Sequence, residues 1–131
     1  LFPYTTLFRS IDVEQLEARI AKGEVPGLVY IIPNFQNPAG LLMSAARRRA
    51  LLDAARRHDL VIVEDDPYGS IYFEDVTTFA DTRPIKVDDL DGRVIYLGSF
   101  SKILVPGLRV AWLPGLLWLV VSLRLRRAWI V

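Results

Sequence analysis

The sequence has no cysteine and a single histidine, His58, in 131 residues. Without thiols there is no disulfide framework, no thiolate metal site and no cysteine nucleophile, and one imidazole cannot build a histidine metal cluster. A cysteine-free chain suits a reducing compartment, so a cytoplasmic location is expected. Excess charge is missing too: 16 basic against 15 acidic residues leave a formal net charge of +1. A nucleic-acid surface needs a basic face, so no nucleic-acid partner is expected. Long hydrophobic runs are also absent. Leu116 to Val121 is too short to span a bilayer, with Pro114 and Gly115 before it and Ser122 and Arg124 after it, so no membrane partner is expected. Nor is there a P-loop, because Ser101 rather than glycine precedes Lys102 and Ile103 rather than a hydroxyl residue follows it. His58, between Arg57 and Asp59, reads as a solvated residue at a helix end.

What the chain does have is apolar content of 52%, enough for the core of about one domain. The first ten residues, Leu1 to Ser10, carry no initiator methionine and resemble a translated sequencing adapter. They lack a basic leader followed by an apolar stretch, so residues 1–10 are read as a non-native segment rather than a signal peptide. Residues 116–131 read as a divergent tail, either a buried helix start or a frame-shifted segment, which leaves 11–115 as the folding unit.

Within that unit helix and strand alternate. Asp12 can cap a helix with Val13, Leu16 and Ile20 at helical spacing, stopped at Gly23. Leu28 to Ile32 is a continuous apolar run closed by Pro33, as in a buried parallel strand. Ser44 can cap a second helix reaching about His58, with Ala45, Ala46, Leu51, Leu52 and Ala55 on its apolar side. Arg47, Arg48 and Arg49 read as its solvated face. Leu60 to Val63, Val94 to Leu97 and Leu108 to Trp112 supply further strands. Glu74 to Gly92, rich in Asp and Thr, reads as a solvated connection with a short helix near Asp88. The alternation implies an α/β fold with a largely parallel sheet covered on both faces.

Three of these strands lead into polar turns. The first reaches Asn37, Pro38, Ala39 and Gly40; the second Glu64, Asp65, Asp66, Pro67 and Tyr68; the third Ser99, Phe100, Ser101 and Lys102. In a parallel sheet such carboxyl ends are adjacent and face a common ligand. Lysine forms Schiff bases with carbonyl groups, and arginine and serine bind phosphate, so the expected ligand is a phosphorylated aldehyde.

With Arg109 downstream, these residues resemble the Asn-Pro-x-Gly, Asp-x-x-Tyr and Ser-x-Ser-Lys motifs of the class I and II aminotransferases, which have the aspartate aminotransferase fold. Order and spacing agree from Leu28 to Pro114, and Pro33 to Gly40 and Val63 to Gly69 are closest to the 2-aminoadipate and broad-specificity branch. The resemblance implies a partial large domain of three-layer α/β/α type, over 11–115, that binds pyridoxal 5'-phosphate. It implies a transaminase exchanging an amino group between an amino acid and a 2-oxo acid, as a homodimer with sites at the subunit interface. Lys102 would form the aldimine and act as the base at the substrate Cα. Asp65 would pair with the pyridine nitrogen, and Tyr68 and Asn37 with the ring's phenolic oxygen. Ser99 and Arg109, with Ser101 as a third donor, would hold the phosphate. Asp66 competes with Asp65 for the ring nitrogen, but only Asp65 has the Asp-x-x-Tyr spacing and lies with Val61 and Val63 on one side of a strand. Glu64, Phe35, Tyr72 and Trp112 read as packing residues.

The family's upstream glycine-rich phosphate loop, its ring-stacking aromatic and its small domain are not in the sequence, so the isolated chain is expected to be inactive. Two rivals stand beside the transaminase: an aminotransferase-like effector domain of a winged-helix transcription regulator, and a lyase on the same fold. Regulators of that kind tend to replace the asparagine that is intact here as Asn37.

Overall fold

A computed structural model describes residues 10–75, 77–104, 107 and 110–114. The order of elements is α1 (Val13–Ile20), β1 (Leu28–Ile31), α2 (Ala45–His58), β2 (Val61–Asp65), α3 (Phe79–Thr82), a 3₁₀ turn (Ile85–Asp88), β3 (Val94–Ser99) and β4 (Ala111–Trp112). The strands form one sheet in the order β1-β2-β3-β4. The first three are parallel, with Val29 opposite Ile62 and Ile62 opposite Val94, and β4 joins β3 antiparallel.

Local chemistry sets the helix starts. The Asp12 carboxylate accepts the Gln15 N–H at 2.9 Å and the Ser44 hydroxyl accepts the Arg47 N–H at 3.3 Å, so each cap satisfies an N–H that the first helical turn leaves unpaired. α2 ends at Asp59, which takes a left-handed conformation. β2 and β3 run two residues further than the apolar runs suggest, because pairing continues past them. Asp65 stays in register with Leu97, and Gly98 and Ser99 pair with Trp112 and Ala111.

Pleating divides the sheet into two faces. Val29, Ile31, Ile62, Glu64 and Val94 are buried beneath the helices, in one core with Leu51, Leu52 and Ala55 of α2. Burying each Leu or Ile there contributes about 1.5–3 kcal/mol. Leu28 and Tyr30, on the other face, are 52% and 55% exposed. Among the described residues the helices therefore cover one face.

Two further expectations change. Arg48 is not on a solvated face: it is 7% exposed and buried with Leu51, Leu52 and Ala55, whereas Ala45 and Ala46 are exposed. The connection after Glu74 is not merely a surface loop either. Thr82 and Ile85 are each 2% exposed, because α3 and the 3₁₀ turn fold back over the covered face. Leu108 lies outside the described residues, so of the fourth expected strand only Ala111–Trp112 is described.

Candidate active site

The carboxyl ends of β1, β2 and β3 lie side by side. After β1 the chain turns at Gln36–Leu41, where Gln36 and Leu41 form an antiparallel bridge and the Gly40 N–H donates to the Gln36 carbonyl at 2.6 Å. Gly40 has φ of +66°, a region that costs a residue with a Cβ about 1–2 kcal/mol. Asn37 sits on this turn, exposed, with a cis bond to Pro38. Phe35, just before it, takes φ of +48°. A bulky side chain in that region is strained, so the surroundings must hold it, and neighbouring Asn34 is fully buried and bonded on both amide atoms.

Asp65 closes β2 on the open face. Tyr30, across the β1–β2 pair on the same face, donates its hydroxyl to the Asp65 carboxylate. Partial burial of that phenol, with the carboxylate beside it, pushes its pKa up to about 12. Beyond β3 the Ser99 hydroxyl donates to the Ser101 hydroxyl at 2.9 Å and accepts the Ser101 N–H at 3.0 Å. The Lys102 amine, exposed in the same turn, stands 6.0 Å from the centre of the Tyr68 ring, at the outer limit of a cation–π contact. The structure thus pairs Lys102 with Tyr68 and Ser99 with Ser101. Asn37 is on the adjoining turn but, among the described residues, its side chain bonds to none of them. Arg109 lies outside the described residues.

A cleft of about 380 Å³ adjoins the end of β1, lined by Tyr30, Gln36, Ala39 and Leu41 among others. Asp65, Tyr68, Ser99 and Lys102 do not line it.

Directly beneath, on the covered face, is a buried polar network. Arg48 donates to the carbonyls of Met43 (2.9 Å), Arg83 (3.1 Å) and Pro33 (3.4 Å) and to Asn34 Oδ1 (2.8 Å). Asn34 Nδ2 donates onward to Asp66 Oδ1 and to the Thr82 carbonyl, both at 2.9 Å. Asp66 also accepts the Gly69 N–H at 2.9 Å and the Tyr96 hydroxyl at 3.1 Å. Burial, then the nearby Asp66 charge, raises the Tyr96 pKa, and burial lowers that of Arg48. Glu64, fully buried, accepts the N–H groups of Ile85 and Lys86 at 2.8 and 2.9 Å. Burial still wins over those bonds and pushes its carboxyl up to about 7.

Reading the sequence singled out Asp65, Tyr68, Ser99 and Lys102 but passed over Asn34, Tyr30 and Tyr96, and placed Arg48 wrongly. For Arg48 a signal was present. Positions 48, 51, 52 and 55 follow the i, i+3, i+4, i+7 spacing of a buried helix stripe, so a charge there implies a buried partner. Asn34 carried no such periodic mark.

The family profile "Aminotransferase class I and II" matches residues 3–128. The aromatic-amino-acid aminotransferase 1 of Thermococcus litoralis is 46% identical over 109 residues, covering 80% of this chain and 25% of that protein. A protein of Escherichia coli named an HTH-type transcriptional regulator is 45% identical over 106 residues, covering 80% of this chain and 22% of its own length. Among solved structures, the α-aminoadipate aminotransferase LysN of Thermus thermophilus, complexed with N-(5'-phosphopyridoxyl)-L-leucine, superposes with a TM-score of 0.68 at 40% identity, covering 85% of this chain and 29% of that one. The chain spans about a quarter of the length of the curated relatives it matches. Among the described residues no helix is long and apolar enough to cross a membrane.

Proposed function

The chain belongs to the class I and II aminotransferases, and from that premise we propose that it forms the cofactor-binding core of a transaminase acting on an amino acid and a 2-oxo acid with pyridoxal 5'-phosphate. The observation that carries the reading is the juxtaposition, at one sheet edge, of Lys102 over Tyr68, the Ser99–Ser101 pair and an open-face carboxylate, Asp65. This donor set fits the group: an amine for its aldehyde, hydroxyls for its phosphate, and a carboxylate and a phenol for its ring.

When bound, the cofactor supplies an aldehyde that condenses with amines and an electron-poor ring that stabilises negative charge at the substrate Cα. Lys102 would attach the cofactor and move the proton at the substrate Cα. Asp65 would hold the proton on the ring nitrogen, its position on the exposed face leaving the carboxylate within reach of a ligand. Tyr68 and Asn37 would donate to the ring's phenolic oxygen, and Ser99 and Ser101, with Arg109, would bind the phosphate. A homodimer and a cytoplasmic location belong to the same proposal.

Full-length protein reconstituted with pyridoxal 5'-phosphate is expected to turn yellow and to transfer amino groups. Lys102→Ala should remove the band and lower the rate by roughly 10²–10⁴-fold; a variant that keeps both would refute the assignment. A second reading, an aminotransferase-like domain within a transcription regulator, is favoured by the Escherichia coli relative so named. Turnover separates the two: cofactor binding without amino transfer by the wild-type protein would favour the regulator.

A further inference from the structure

We infer that Asp66 is a positioning residue, whose buried carboxylate sets the Asp65–Tyr68 turn so that the residues on either side meet the cofactor; the inference rests on the functional reading above. Asp65 and Asp66 are adjacent in sequence but face opposite ways. Asp65 lies on the open face with Tyr30, whereas Asp66 is 7% exposed and has both oxygens engaged by the protein. Oδ1 accepts from Asn34 Nδ2 and from the Gly69 N–H, each at 2.9 Å, and Oδ2 accepts from the Tyr96 hydroxyl at 3.1 Å. Its own N–H donates to the Leu97 carbonyl at 2.9 Å. Both oxygens are thus held by the protein itself.

These bonds reach the segment after β1, the turn itself and β3, and Asn34 extends the chain to Arg48 on α2 at 2.8 Å. One carboxylate therefore ties the three strand ends together beyond the backbone pairing of the strands. Gly69 shows how closely the turn folds back: a Cβ there would overlap the Asp66 carboxylate and stand 2.8 Å from Asn34 Nδ2. Tyr68, the residue before Gly69, is fixed by that return, and Asp65 is fixed by the backbone bond next to it. A carboxylate held by three donors in a buried setting keeps its geometry, and misplacement of a reacting group by about 1 Å can cost roughly 10²-fold in rate.

The test uses full-length protein, wild type and Asp66→Ala, Asp66→Asn and Tyr96→Phe, with pyridoxal 5'-phosphate as the probe. The readouts are the pH midpoint of the bound cofactor's absorbance change, its dissociation constant by equilibrium dialysis, and kcat and KM. Loss of a well-aimed Tyr68 hydrogen bond to the ring oxygen should raise the midpoint. For Asp66→Ala a rise of about one pH unit and a kcat lower by roughly 10–100-fold at little-changed KM are expected. Asp66→Asn keeps an acceptor for Asn34 and Gly69, so it should restore most of both. Tyr96→Phe removes one donor only and should shift the midpoint the same way by less, which keeps the test open if Asp66→Ala does not fold. Midpoint and kcat unchanged in Asp66→Ala, or in Tyr96→Phe where Asp66→Ala does not fold, with only the melting temperature lowered, would overturn the inference alone. A wild-type protein that binds no cofactor would overturn the functional reading and this inference together.

Discussion

Glu64, Asp65 and Asp66 are three consecutive carboxylates with three different surroundings. Glu64, on the covered face, is walled off from water and held by two backbone N–H groups, with burial raising its pKa to about 7. Asp66, beyond the strand end and also facing the helices, is consumed by Asn34, Gly69 and Tyr96. Asp65, between them, emerges on the open face, where Tyr30 is its hydrogen-bond partner. The pleat alone produces the contrast, because side chains alternate faces at each step along the strand. A sheet edge can thus place a structural carboxylate and a ligand-facing one at neighbouring positions, and their chemistry differs because one face has a cover of helices.

Three substitutions probe that contrast, beginning with the largest effect. Arg48→Ala removes the guanidinium that bonds four acceptors on the covered face and leaves Asn34 Oδ1 and the Pro33, Met43 and Arg83 carbonyls short of donors. A loss of about 3–5 kcal/mol in unfolding free energy is expected, and denaturant titration measures it. A loss under about 1 kcal/mol would mean that the covered face does not depend on this network.

Glu64 gives the next effect, and it depends on pH. Because the folded chain raises the carboxyl from the usual 4.5 to about 7, folding favours the protonated form. The stability it contributes is full below about pH 4.5 and is lost as pH rises through 7, a change of about 3 kcal/mol. Glu64→Gln is expected to flatten that part of the stability–pH profile, read as melting temperature from pH 4 to 8. An unchanged slope in the variant would assign the titration elsewhere.

The open face gives the smallest effect. Tyr30→Phe deletes the hydroxyl that meets Asp65, yet this residue is 55% exposed, and water can replace the lost bond. A change within about 0.5 kcal/mol is expected by the same denaturant titration, against several kcal/mol for Arg48→Ala. Comparable losses at both positions would erase the distinction between the faces.

Much of this was legible in advance. Asp12 and Ser44 marked the starts of α1 and α2 through their capping chemistry, and short apolar runs marked β1, β2 and β3, because a run of apolar residues between turn residues is a local signature of a strand. The three polar turns could be read for the same reason: each follows directly on a strand, so parallel topology makes them neighbours. Legibility ended where partners are distant in the chain. Asn34 and Asp66 are bonded across 32 residues, Arg48 and Asn34 across 14, and no local pattern announces either bond. The segment after Glu74 misled for a related reason. Its Asp and Thr content suggests solvent, but Asp81 and Thr78 satisfy each other at 2.7 Å while Thr82 and Ile85 turn inward.

By itself, the sequence determined the alternation of elements, the caps and the order of motifs that marks the aminotransferase class, since these depend on side-chain chemistry within a few residues. Only the tertiary structure decided which of the three successive carboxylates faces helices and which faces open space, which acceptors the buried Arg48 meets, and that Tyr30 meets Asp65. Those outcomes depend on which face α2 covers and on the register of strands more than thirty residues apart, so the free energy that selects them exists only once the sheet has formed.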